Sequence, residues 1–115
     1  MVLVNDSNGN IIADSLEEAN TFWKRFKGLM FTEKLAKGKA LFFKPCKSIH
    51  TFFMKYPIDV IYLRKDLTII AVDEGIAPFK IGKLNFGVDA VIEMPAGTLK
   101  QTQTQIGHKL TIINN

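Results

Sequence analysis

The chain has little sulfur and little imidazole: one cysteine, Cys46, and two histidines, His50 and His108. A lone thiol excludes an intrachain disulfide framework. No CxxC, HxH or HExxH pattern occurs, so short-range metal-ligand spacing is absent as well. No stretch approaches the roughly 20 consecutive apolar residues that a membrane helix needs. The start, MVLVNDSNGN, turns polar by Asn5 and has no basic region or long apolar run, which argues against a signal peptide. There are no internal repeats, and no linker is long enough to divide the chain. A single cytoplasmic domain over residues 1–115 is the expectation, with no transmembrane segment, cofactor or metal.

What is present is ordinary globular material. Hydrophobic residues make up 47% and charged residues 23%, a balance that argues against disorder. Nine phenylalanines and many branched aliphatics supply a core. The net charge of +4 is unevenly spread. Lys24, Arg25, Lys27, Lys34, Lys37, Lys39, Lys44 and Lys47 face a single acid in that segment, Glu33. Such a block can attract an anionic partner, with Lys24, Arg25, Lys27, Lys34 and Lys37 as the candidate surface. The plainer reading is a solvated face. The segment lacks a Gly-rich or aromatic RNA-binding signature, which argues against nucleic acid.

Along the chain, VLV and IIA flank DSNGN, and Asn-Gly between apolar runs signals a β-hairpin. Ser15 with Glu18 three residues on reads as a helix capping box. Leu16, Ala19, Trp23, Phe26 and Met30 follow at helical spacing, and Gly28 ends that predicted helix. Thr32–Lys37 reads as one more turn. The pattern then changes to short runs rich in Ile, Val, Phe, Tyr and Thr: Ala40–Phe43, Ser48–Met54, Ile58–Leu63, Leu67–Val72, Val88–Met94 and Lys109–Ile113. Turn chemistry separates them, including a long loop over Gly75–Gly87. Thr98–Gln105 reads as a short helix or a loop. Short strands at this spacing indicate a mainly β (β-rich α+β) domain, an antiparallel barrel or sandwich with one or two short helices packed on it.

The ordered set GLMF (Gly28–Phe31), ALFF (Ala40–Phe43), HTFFM (His50–Met54), PIDVIYL (Pro57–Leu63), VIEMPAGT (Val91–Thr98) and IGHKL (Ile106–Leu110) resembles the domain-of-unknown-function 192 family. That family consists of small prokaryotic β domains. The resemblance runs from Ile12 onward and implies a compact antiparallel β fold. It implies no activity and no catalytic residues. Phe53 and His108 stand where the family usually carries a tryptophan and often an acidic residue.

The stretch PCKSIHTFFMKYPIDVIYL gathers most of the chain's chemistry. Cys46, His50 and Met54 are soft ligands, but four residues of extended strand span about 13 Å, too far for one shared ion. The same separation keeps His50 from acting as a base on Cys46. Asp59 is more telling, because an ionised carboxylate inside an apolar run must be paired or placed at a rim. It is expected to cap amides of the Lys55–Pro57 turn or to pair with His50 or a lysine. Glu93, in VIEM, is the second such carboxylate. His50, Asp59 and Glu93 are the one polar set that neighbouring strands could gather. Lys80 and Lys83, in the 75–87 loop, could clasp an anionic ligand. The leading expectation is therefore a non-enzymatic binding or accessory module with its pocket near His50, Asp59, Glu93 and this loop. The alternatives are a small hydrolase or isomerase using the His/carboxylate set, and an adaptor acting through the basic segment 24–47.

Overall fold

The computed structural model describes residues 1–19, 36–46, 56–77, 80, 82 and 87–114. The expected hairpin forms from β1 (Val2–Asn5) and β2 (Ile11–Ala13), which pair antiparallel. Gly9 takes a positive φ of 80° in the turn, and its amide donates to the Asn5 carbonyl at 2.7 Å. The last strand, β8 (Leu110–Ile113), pairs antiparallel with the other side of β1 and completes a three-stranded sheet.

A five-stranded sheet carries the rest. Its members are β3 (Ser15–Glu18), β4 (Lys39–Phe43), β5 (Ile58–Leu63), β6 (Ile69–Ile76) and β7 (Ala90–Pro95). They lie in the order β3-β4-β7-β5-β6, so β7 sits at the centre, between β4 and β5. All pairs are antiparallel except β3–β4. A short helix, α1 (Thr98–Gln101), follows β7. The fold is mainly β, and the described residues form two separate sheets that do not close into a barrel.

Two differences from the sequence reading have physical causes. Ser15–Glu18 is a strand, not a helix start. Its alternation of exposed Ser15, buried Leu16 and exposed Glu17 suits a half-buried strand. The bond from Ser15 N to Gly38 O uses an amide that the capping box would otherwise satisfy, and the ladder to β4 and the bond from Leu16 N to Met1 O hold the segment extended. Strand β6 begins at Ile69 because Arg64–Leu67 forms a turn, with Leu67 at a φ of 66°, and it runs on to Ile76. The remainder of the expected helix (residues 20–28), most of Thr32–Lys37 and the expected strand Ser48–Met54 lie outside the described residues.

The main core fills the space between the sheets. Leu3, Ile12 and Leu110 from the small sheet meet Phe42, Ile61, Leu63, Ile92 and Met94 from the large one. Each such side chain contributes about 1.5–3 kcal/mol when fully buried. A second apolar cluster occupies the opposite face of the large sheet, with Ile58, Val60, Tyr62, Ala71, Val88 and Val91 at its centre. Strand β5 is therefore covered on both sides, which is why all six of its residues are buried.

Gly38, at the turn into β4, has a φ of +86°, and a Cβ there would lie 2.6 Å from Asp14 Oδ1. The carboxylate can swing aside, so the backbone sets the penalty. Gly38→Ala is expected to destabilise the fold by about 1–2 kcal/mol, read as a lower urea midpoint at unchanged slope.

Candidate functional site

The two carboxylates that interrupt the apolar strands take different environments. Asp59, on β5, is fully buried and opposite Met94 of β7. Its Oδ1 accepts the Gly75 amide at 2.7 Å. Its Oδ2 accepts the amides of Gly97 at 3.1 Å and Leu99 at 2.9 Å. The first-turn amides of a helix have no intrahelical partner. Gly97, the N-cap residue of α1, has no side chain to serve them. Asp59 does so from a neighbouring strand and at the same time holds the end of β6. Among the described residues, the amides it caps are those of β6 and of the start of α1; Lys55 of the expected turn lies outside them. A carboxylate sealed by three backbone donors has little capacity left for a ligand or a proton-transfer step.

Glu93, on β7, lies opposite Leu41 of β4 and Val60 of β5. Cross-strand partners share a face and successive residues alternate. Asp59 pairs with Met94 and Val60 with Glu93, so the two carboxylates point to opposite faces of the same sheet. Glu93 belongs to the side of Ile58, Val60, Tyr62 and Val91. Its residual exposure is 6%. Burial pushes its carboxyl up to about 8, so it keeps its proton at neutral pH and can both donate and accept.

Other polar groups share this face. Tyr56 packs against the same cluster, and its hydroxyl is buried without a hydrogen-bond partner among the described residues. Burial raises the Tyr56 hydroxyl above the ordinary phenol range, and the negative charge of Glu93 raises it further. Tyr62 donates to Asp73 Oδ2 at 2.6 Å. Register places Asp73, Val60, Glu93 and Leu41 in one row across four strands. Two strand spacings separate Asp73 from Glu93, about 10 Å between backbones. Tyr56 escapes sequence reading because a Tyr-Pro pair reads as a turn. Its neighbourhood to Glu93 comes from strand order, which no local pattern encodes.

Among the other expected site residues, Lys80 is exposed, as is Lys37 before β4. His50, Lys83, Lys24, Arg25, Lys27 and Lys34 lie outside the described residues. Among the described residues, no three His, Cys, Asp or Glu side chains gather as a metal site. No helix among them is long and apolar enough to cross a membrane.

Comparison with known proteins places these features in context. The sequence model of the DUF192 family, described as "Uncharacterized ACR", matches residues 3–112. A UPF0127 protein of Pyrococcus abyssi is 31% identical over 115 residues, covering 95% of each chain. A UPF0127 protein of Thermococcus sibiricus is 30% identical over 114 residues, covering 95% of this chain and 73% of the relative. The fold is similar to a solved protein of unknown function from Novosphingobium aromaticivorans, with a TM-score of 0.83 and 21% identity over 96% of this chain and 83% of that one. It is also similar to a Sinorhizobium meliloti protein described as a "putative transcription regulator", with a TM-score of 0.79 and 24% identity over 96% of this chain and 89% of that one. Both structural likenesses are of fold.

The two carboxylates respond differently to substitution. Asp59→Ala leaves the buried Leu99 amide and the half-buried Gly75 and Gly97 amides without their partner, and at about 1–3 kcal/mol for a buried donor and less for the others it is expected to cost about 2–3 kcal/mol in chemical denaturation. Glu93 has a folded pKa of about 8 against an ordinary value of 4.5. The unfolded chain releases this proton first as pH rises. The stability Glu93 contributes is therefore complete below pH 4.5 and is lost progressively up to about pH 8. The loss is on the order of 5 kcal/mol across that window. Glu93→Gln is expected to flatten the profile there and to exceed wild type in urea midpoint at pH 8. An unchanged slope in the variant would show that Glu93 is not the titrating group.

Proposed function

The chain belongs to the DUF192 family, whose name assigns no activity, and we propose from its site that it is a small cytoplasmic, non-enzymatic binding module. The supporting observation is two polar groups on a largely apolar sheet face, apart from the bonded Tyr62–Asp73 pair: the protonated carboxyl of Glu93 and the unpartnered hydroxyl of Tyr56. Buried polar groups are nearly always hydrogen-bonded, so an unused donor and acceptor call for an explanation. An apolar wall with a few convergent polar groups is the usual make-up of a small-ligand site. The ligand suited to it is uncharged and mostly apolar, with one or two hydrogen-bonding atoms. A charged ligand group would be desolvated there without a countercharge.

One observation favours a second reading, a small hydrolase or isomerase. A carboxyl that holds its proton near neutral pH is suited to general-acid chemistry. That role needs a second group within reach, and Asp59 is turned to the other face and held by three amides. The binding reading therefore has the better support. The adaptor reading keeps exposed Lys37 as its one described candidate residue.

A thermal-shift screen with neutral small molecules tests the proposal, since a ligand of the folded state raises Tm by mass action. Hits are expected on wild type, with the ligand-induced increment reduced in Glu93→Gln and in Tyr56→Phe. Hits whose increments are the same in both variants would place binding elsewhere. Turnover of a hit would favour the enzymatic reading.

A further inference from the structure

A second concave region lies away from Glu93. A cleft of about 820 Å³ opens between β6, α1 and the chain leading into β8. Val72 and Glu74 of β6 form one wall. Leu99 and Lys100 of α1, with Gln103–Ile106 and His108, form the other.

The irregular wall is held rigidly. Asn8 Nδ2 donates to the carbonyls of Thr102 and Gln103, both at 3.0 Å, and Asn10 Nδ2 donates to that of Thr102 at 2.9 Å. The Thr102 and Thr104 hydroxyls share a hydrogen bond of 2.7 Å. His108 Nδ1 accepts from Asn5 Nδ2 at 3.0 Å and from the Gln105 amide at 3.2 Å. In the neutral ring the proton is therefore on Nε2. On this fixed frame, Gln103 and Gln105 are exposed, and Ile106 leaves 57% of its surface open. Ile106 thus offers the cleft apolar surface from a pinned loop, and loops held on a rigid scaffold commonly carry binding residues.

The opposite wall is β6, the outermost strand of the five-stranded sheet among the described residues. Its outer edge already takes a main-chain partner at one end. Ile69 N donates to His108 O at 2.9 Å, Gly107 N donates to Ile69 O at 2.8 Å, and Thr68 bridges antiparallel to Lys109. Gly107, with a φ of +93°, then turns the chain away from β6. The cleft lies alongside the strand where, among the described residues, that pairing stops, beside Val72 and Glu74.

We infer that this cleft binds an extended, uncharged peptide segment that continues the pairing begun by residues 107–109 along β6. Strand addition takes its affinity from main-chain hydrogen bonds and its selectivity from side-chain pockets. Val72, Leu99 and Ile106 supply apolar contacts. Gln103 and Gln105 carry primary amides that match a peptide group as donor and acceptor. Lys100 and Glu74 have opposite charges, which favours a neutral occupant over an anionic one.

The probe is the capped peptide acetyl-Thr-Val-Thr-Val-Thr-amide, titrated into the 15N-labelled full chain to about 1 mM, the concentration range of weak but specific binding. Shifts are expected at Val72–Glu74 and Leu99–His108, together with the side-chain amides of Gln103 and Gln105. Ile106→Asp, at an exposed position, is expected to weaken binding at least about tenfold with an unchanged melting temperature. The same peptide N-methylated at alternate residues is expected to lose binding. The inference is overturned by an absence of shifts, by shifts confined to the surroundings of Tyr56 and Glu93, or by equal binding of the N-methylated peptide. It is also overturned if inorganic phosphate moves the same resonances at lower concentration than the peptide. Because Glu93 faces a different cluster, failure of this test leaves the first binding site untouched, and the reverse holds.

Discussion

The carboxylate of Asp59 ties the start of α1 to the paired strands β5 and β6, a link that the backbone ladder between those strands does not make. It sits on a central, doubly covered strand and accepts amides from the end of β6 and from the start of α1. A helix as short as α1 has little stability of its own, because helix nucleation is costly and its first amides lack partners. The chain after α1 leads to β8, which closes the small sheet against β1. The start of α1, where the chain turns back toward the small sheet, is thus held by the buried side chain of Asp59. The hydrogen bonds of Asn8 and Asn10 to the carbonyls after α1 secure the other end.

The same sheet shows how similar residues acquire unlike roles. Asp59 and Glu93 lie on neighbouring strands and occupy cross-strand positions one residue apart. Because side chains alternate with a period of two, this offset sends them to opposite faces. One meets a concentration of backbone donors and becomes structural. The other meets Val60, Tyr62 and Val91, is left without a countercharge among the described residues, and keeps its proton. A buried group of this second kind weakens the fold as pH rises, which a purely structural role would not require.

Much of the strand inventory was legible because it rests on local chemistry. Asn8-Gly9 marked its hairpin, and the apolar runs around β4, β5, β7 and β8 marked their strands. Thr98 marked the start of α1. The capping box at Ser15 failed for an instructive reason. Ser-Leu-Glu-Glu satisfies a helix start and an alternating strand equally well, and a parallel neighbour, β4, decided between them by supplying main-chain partners. Asp59 was legible as a residue needing partners, but not as the cap of a helix some 40 positions downstream. The proximity of Tyr56 to Glu93 left no local trace.

By itself the sequence determined the absence of a disulfide framework, the mainly β class and the places where the chain must turn. These follow from residue types and from spacings of a few positions, where sterics and hydrophobic alternation act directly. Only the tertiary structure decided the order β3-β4-β7-β5-β6, the fate of Ser15–Glu18 and the separation of Asp59 from Glu93. The reason is common to all three. A buried polar group's role is set by the donors, charges and apolar surface that long-range pairing brings to it. A register shift of one residue would exchange the faces without altering any local pattern.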